Sequence, residues 1–148
     1  MDLDGRRTPC VGICSTTYGD LVCRGCKRFA HEITSWNGYS RDQQSRVWRR
    51  LADLRDAATA AHLEICDSRR LDLATVPLCL PNDASALTRA YELLRRRSRG
   101  IGTLGEVGLR ARGDDPPDVT AIRDRIDAEF QRRSVAVYER SFRVVVDG

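Results

Sequence analysis

The chain has 148 residues, 31% of them charged and few aromatic, a profile that suits a helix-rich protein of one compact domain or of a domain plus a small appendage. Its net charge of +4 is carried almost wholly by arginine, Lys27 being the only lysine, and is too small to argue for nucleic acid by itself. No apolar run approaches the roughly 20 residues of a membrane helix, and the start MDLDGRRTPC has no apolar stretch of a secretory leader, so the expectation is a cytoplasmic protein without a membrane partner.

In chain order, residues 1–9 read as a tail that enters the first cysteine extended, because Pro9 disfavours helix in the residue before it. Residues 10–26 form a loop holding four of the six cysteines, Cys10, Cys14, Cys23 and Cys26, at the spacing C-x3-C-x8-C-x2-C. Gly25, between the last two thiols, is the expected site of the sharp turn. Val11, Ile13, Leu21 and Val22 would shield the loop from water. Residues 26–37 predict a short helix with Phe29, Ile33 and Trp36 on one stripe. A helix growing directly from Cys26 would place its positive N-terminal end beside thiolate.

Ser40-Arg41-Asp42-Gln43 is a capping box. Val47, Leu51, Leu54, Ala58, Ala61 and Ile65 follow at helical spacing, with Trp48 placed to reach back to Trp36. Residues 67–83, with two prolines and a Val76/Leu78/Leu80 alternation, predict an extended connector. This divides the chain into a four-cysteine module at 8–66, the connector at 67–83 and a helical region at 84–148. Asn82 or Asp83 would cap a third helix along Leu87, Ala90, Tyr91 and Leu94, ending in Arg95–Arg97, Arg99 and Gly100. Thr103 to Glu106 would open a single helical turn, and Asp118 would cap a last helix along Val119, Ile122, Ile126 and Phe130. SFRVVVDG fits either a continuation of that helix or a short strand. The fold class is mainly α, with a small four-cysteine metal-binding loop at the N-terminus packed on amphipathic helices.

Four thiols so close together have three explanations: a metal site, paired disulfides or a redox dithiol. In the cytoplasm stable disulfides are disfavoured, and no βαβ pattern surrounds Cys23 and Cys26 to suggest a thioredoxin-like motif. Two close pairs of thiolates suit a tetrahedral sulfur site, which takes Zn²⁺ or iron with sulfide. The metal ligands are therefore expected to be Cys10, Cys14, Cys23 and Cys26.

Other residues have plainer readings. His31 and His62 are expected on helix surfaces. Cys66 and Cys79 are expected as small buried hydrophobes, and Trp36 and Trp48 as core. Glu32 is expected in a surface ion pair or a contact beside the site, with Arg24, Lys27 and Arg28 at hand. The Arg95–Arg99 run is expected to be a solvated helix end. No phosphate-cradling loop, Ser/His/Asp set or carboxylate pair is present to make a catalytic site.

The residues TPCVGIC, CRGCKR and EITSW resemble the bacterial domain-of-unknown-function family 1289 over about residues 8–55. The resemblance implies an iron–sulfur cluster, since members of that family are described as predicted iron–sulfur proteins, whereas the ligand spacing equally allows Zn²⁺. The expected role is an accessory or protein-interaction module rather than a hydrolytic enzyme. An iron–sulfur electron-transfer or redox-sensor protein is the first alternative, and a nucleic-acid binder using the Arg-rich segments is the second.

Overall fold

A computed structural model describes residues 8–12 and 14–142. The chain is mainly α. Helix α1 spans Ala30–Ser35, α2 Arg41–His62, α3 Ser68–Thr75, α4 Ala86–Arg97 and α5 Val119–Phe142; strands β1 (Leu63–Ile65) and β2 (Leu109–Ala111) form one antiparallel pair.

Helix α2 is the central element. Its start follows the capping box: Ser40 Oγ accepts from the Gln43 N–H at 3.2 Å, and Gln43 Oε1 accepts from the Ser40 N–H at 2.8 Å. Its buried face carries Val47, Trp48, Leu51 and Ala58. The Trp36 and Trp48 rings meet edge to face at 6.5 Å, as the spacing predicts, and both are buried.

The helix stops at His62 instead of running through Ile65. Leu63 to Ile65 turn extended and pair with Ala111 to Leu109, which buries Leu63 and Leu109 and leaves Glu64 facing Arg110. A three-residue strand has no periodicity of its own; its partner lies more than 40 residues away.

Residues 67–83 do not form an extended connector. Asp67 caps a helix there, its Oδ1 accepting from the Arg69 N–H at 3.1 Å and the Arg70 N–H at 3.2 Å. Leu71 and Thr75, one turn apart, point into the core. Both prolines fall after α3 and therefore do not interrupt it. A 3-10 turn at Val76–Leu78 follows, with Leu78 and Leu80 buried and Val76 exposed.

Ser85, not Asn82 or Asp83, caps α4, its Oγ accepting from the Thr88 N–H at 3.1 Å. Thr103 caps the expected single turn over Leu104–Val107. Asp118 caps α5, with Oδ2 accepting from the Ala121 N–H at 2.9 Å. Ser141 and Phe142 of SFRVVVDG continue α5, and the remaining residues, 143–148, lie outside the described residues.

Buried side chains from both sides of residues 67–83 form one cluster, from Trp36 and Leu51 through Leu71 to Leu94, Ile122 and Phe130. Among the described residues no helix is long and apolar enough to cross a membrane.

One glycine is indispensable to the β1–α3 junction. Gly108 has φ +76, and a Cβ there would lie 2.0 Å from the Asp67 carbonyl oxygen. Its own carbonyl accepts from the N–H groups of Cys66 (2.8 Å) and Asp67 (3.1 Å). Gly108→Ala is expected to destabilise the fold by at least about 2 kcal/mol, from the left-handed backbone and the clash together. A thermal melt of the variant checks this.

Candidate metal centre

Leu21–Cys23 and Arg28–Ala30 run antiparallel. Val22 bridges Phe29, the Cys23 N–H donates to the Arg28 carbonyl at 2.9 Å, and the Ala30 N–H donates to the Leu21 carbonyl at 2.9 Å. The Cys23–Cys26 turn closes this ribbon, with the Lys27 N–H on the Cys23 carbonyl at 2.9 Å. The left-handed residue of the turn is Lys27, at φ +68, and not Gly25. Helix α1 begins only at Ala30, so the positive helix end does not abut Cys26.

Donors of another kind surround the sulfurs. Burial opposes ionisation of Cys23, but the backbone N–H groups of Cys26, Ser15 and Gly25, with the Cys26 thiol, bring its pKa down to about 7. Burial pushes the Cys26 thiol up, against the pull of Arg28, whose Nε donates to Cys26 Sγ at 3.3 Å. Cys14 is half-buried and held below its ordinary value by the Thr16 hydroxyl, 2.9 Å from its sulfur. Cys10 is exposed, its Sγ accepting from the Gly12 N–H at 3.4 Å.

The structure thus brings Cys23 and Cys26 together and places Cys14 where the charge of Cys23 acts on it. Among the described residues no three Cys, His, Asp or Glu side chains are gathered closely enough to hold a metal ion.

Two cations are buried beside this turn. Arg28 lies with its guanidinium 5.0 Å from the Trp36 ring centroid and is 4% exposed. Among the described residues no carboxylate pairs with it. Lys27 is 0% exposed; its ammonium donates to the Arg24 carbonyl, meets Asp127 Oδ1 on α5 at 2.9 Å and lies 5.7 Å from the Phe130 ring centroid.

Glu32 is buried and does not pair with Arg24, Lys27 or Arg28. It accepts from the Phe29 N–H at 2.9 Å and binds Arg50 of α2 through both oxygens at 2.5 and 2.6 Å. The Arg50 guanidinium also covers the Phe29 ring at 4.0 Å. Phe29 packs on Tyr138 and Phe142 of α5. Of the expected shield, Val22 is buried, Val11 half-buried and Leu21 exposed, while Ile13 lies outside the described residues. Tyr18 and Leu21 project from the loop tip, Tyr18 at 90% exposure. Beside them a groove of about 850 Å³ runs between Gly19–Val22 and the Ala128–Tyr138 face of α5.

Away from the loop, His31 is exposed as expected and touches Phe142. Cys66 and Cys79 are both exposed, not buried: Cys66 leaves the end of β1, and Cys79 sits at φ +53 just past the 3-10 turn. Arg95 and Arg96 of the basic run bind Glu92.

His62 is not a simple surface residue. Its Nδ1 lies 2.8 Å from Asp115 Oδ2 and its Nε2 3.7 Å from Glu129, joining the end of α2 to the loop before α5 and to α5 itself. Its position on the edge of the α2 stripe carried no sign of partners 53 and 67 residues away. Burial would raise both carboxyls, but His62 and Arg125 hold Asp115 low, and Arg133 and Arg132 hold Glu129 low. Depressed carboxylates contribute stability above their unfolded values and lose it as pH falls through the folded ones. Stability is therefore expected to drop below about pH 4, and the drop should shrink in Glu129→Gln when urea midpoints are followed against pH.

The class defined so far is a mainly α protein whose N-terminal loop carries a Cys-x2-Cys turn lined with N–H donors and buried cations. Residues 8–55 match the family described as protein of unknown function (DUF1289). The match takes in all four loop cysteines, Glu32, Trp36 and the first two thirds of α2. No curated protein and no solved structure matches the chain.

Proposed function

We propose that residues 10–26 form a four-thiolate metal centre and that the centre stiffens an accessory, protein-interaction module. The observation that carries this is electrostatic. The backbone N–H groups of Cys26, Ser15 and Gly25 favour the Cys23 thiolate, and the buried Arg28, which no carboxylate among the described residues pairs, donates to Cys26 Sγ. A buried cation without a counter-charge is costly, and thiolate supplies one. The donor types suit either a zinc ion or an iron–sulfur cluster, both of which take Cys thiolates, and the loop would have to draw Cys10 and Cys14 in toward Cys23 and Cys26 to close either site. Cys10, Cys14, Cys23 and Cys26 would hold the group; zinc would supply rigidity, and a cluster would add one-electron chemistry.

The chain's own residues define the rest of the role. Tyr18 and Leu21 present apolar surface at the tip of the loop, next to the groove along α5, where a protein partner would be met. Nucleic-acid binding has less support, because Arg95 and Arg96 are already engaged by Glu92.

The test is purification without oxygen, followed by metal analysis and a visible absorption spectrum. One zinc in a colourless protein supports the scaffold reading. Iron with labile sulfide and a coloured protein moves the role to electron transfer or redox sensing. Protein that holds neither overturns the metal centre.

A further inference from the structure

Asp127 on α5 lies far from the four cysteines in sequence, yet a chain of contacts runs from it into the Cys23–Cys26 turn. Its Oδ1 meets the Lys27 ammonium at 2.9 Å. That ammonium is inaccessible to solvent and donates to the carbonyl of Arg24. The Arg24 carbonyl and the Gly25 N–H belong to one planar trans peptide and point to opposite sides of it. Holding the carbonyl toward Lys27 therefore turns the Gly25 N–H the other way, and that N–H is one of the backbone donors that favour the Cys23 thiolate.

Lys27 is also the residue on which the turn's left-handed backbone falls, at φ +68. A lysine is a poor choice for that conformation, and a fully buried lysine is a poor choice for an interior. Both features make sense together: the backbone aims the side chain across the turn, and the carboxylate on α5 compensates the buried charge. Glycine would satisfy the backbone alone and lose the side chain's hold on the peptide.

We propose that Asp127 and Lys27 are positioning residues that set the Arg24–Gly25 peptide and so the hydrogen bond to Cys23, making α5 a support for the metal centre. The family match stops at residue 55, so this support comes from outside the matched segment. The inference rests on the metal-centre reading for its consequence, while its geometry can be tested without metal.

The test uses the full chain. In metal-free protein, amide hydrogen exchange at Gly25 is expected to quicken about fivefold in Asp127→Asn and in Lys27→Met, the scale of one net hydrogen bond. Asp127→Glu should restore it. Gln131→Ala removes a different α5 contact, the 3.4 Å bond from Nε2 to the Val22 carbonyl, and should leave Gly25 unchanged. In protein loaded with Zn²⁺, transfer of metal to a chelator should be about tenfold faster in Asp127→Asn, a typical effect of losing support behind a ligand. Equal Gly25 exchange in wild type and Asp127→Asn, or an equal quickening in Gln131→Ala, would overturn the relay. Failure of the wild-type chain to take up any metal would instead overturn the reading under Proposed function, with the exchange data still deciding the relay.

Discussion

Replacing Glu32 with alanine is expected to destabilise the chain by about 3–5 kcal/mol, the range for removing one partner of a buried ion pair. The side chain is 5% exposed and does two jobs. It accepts the Phe29 N–H at the start of α1, and it grips Arg50 with both oxygens. In its absence Arg50 would stay over the Phe29 ring, a charge partly withdrawn from water with no carboxylate opposite. Glu32→Gln keeps an acceptor for the Phe29 N–H and loses the charge, so it should fall between wild type and alanine. Urea unfolding followed by circular dichroism measures both variants. A Glu32→Ala midpoint close to wild type would show that the α1–α2 joint does not depend on this pair.

On the proposed metal-centre reading, stripping the metal, or replacing Cys23 with alanine, is expected to loosen residues 14–20 while the ribbon from Val22 to Phe29, α2, α4 and α5 stay folded. The loop has little else to hold it. Its first 3-10 turn, Ser15–Tyr18, contributes no buried residue. Among the described residues of the loop, apolar burial lies at Pro9 and in the ribbon around Val22, Cys23, Cys26 and Phe29. A structural zinc contributes on the order of 10 kcal/mol in small thiolate sites, far more than that ribbon could supply. The helical core from Val47 to Phe130 buries its side chains without help from the cysteines. Hydrogen exchange should show protection lost at the Gly19 and Asp20 amides, which close the Ser15–Tyr18 turn, and kept at Cys23, Lys27 and Ala30 and along α2. Cys10→Ala, Cys14→Ala and Cys26→Ala should release metal as Cys23→Ala does, whereas Cys66→Ala and Cys79→Ala should not. Release by Cys66→Ala would remove the proposed ligand set.

What was legible in the sequence follows the range of the interaction. The Ser40 box, the Asp118 cap and the Trp36–Trp48 contact involve residues within about a dozen positions, and their spacing announces them. Helix α3 was hidden because two nearby prolines suggested an extended chain, although both fall beyond its last turn. The joint between Glu32 and Arg50 spans 18 residues, the β1–β2 pair 46 and His62 to Asp115 53. None leaves a periodic trace, since each is decided by which helix faces fold together.

The candidate site divides in the same way. Cysteine spacing pointed to the turn, and the structure places two of the four thiols there close enough to influence each other's ionisation. The choice of Lys27 over Gly25 as the left-handed residue could not be read from composition, and the carboxylate that meets this lysine, Asp127, lies a hundred residues later.

The inward face of α2 has a consequence for how such a loop travels between genes. The matched segment ends at Arg55, seven residues short of the end of α2, and the Val47–Leu51–Ala58 face is buried in the core that α4 and α5 share. A stretch encoding only residues 8–55, spliced onto another protein, would arrive as a cysteine loop on a truncated, sticky helix. It could settle only where the recipient offers its own apolar cover. What is portable is the pattern of cysteines and its helix stem; the roof over them has to be found anew in each host.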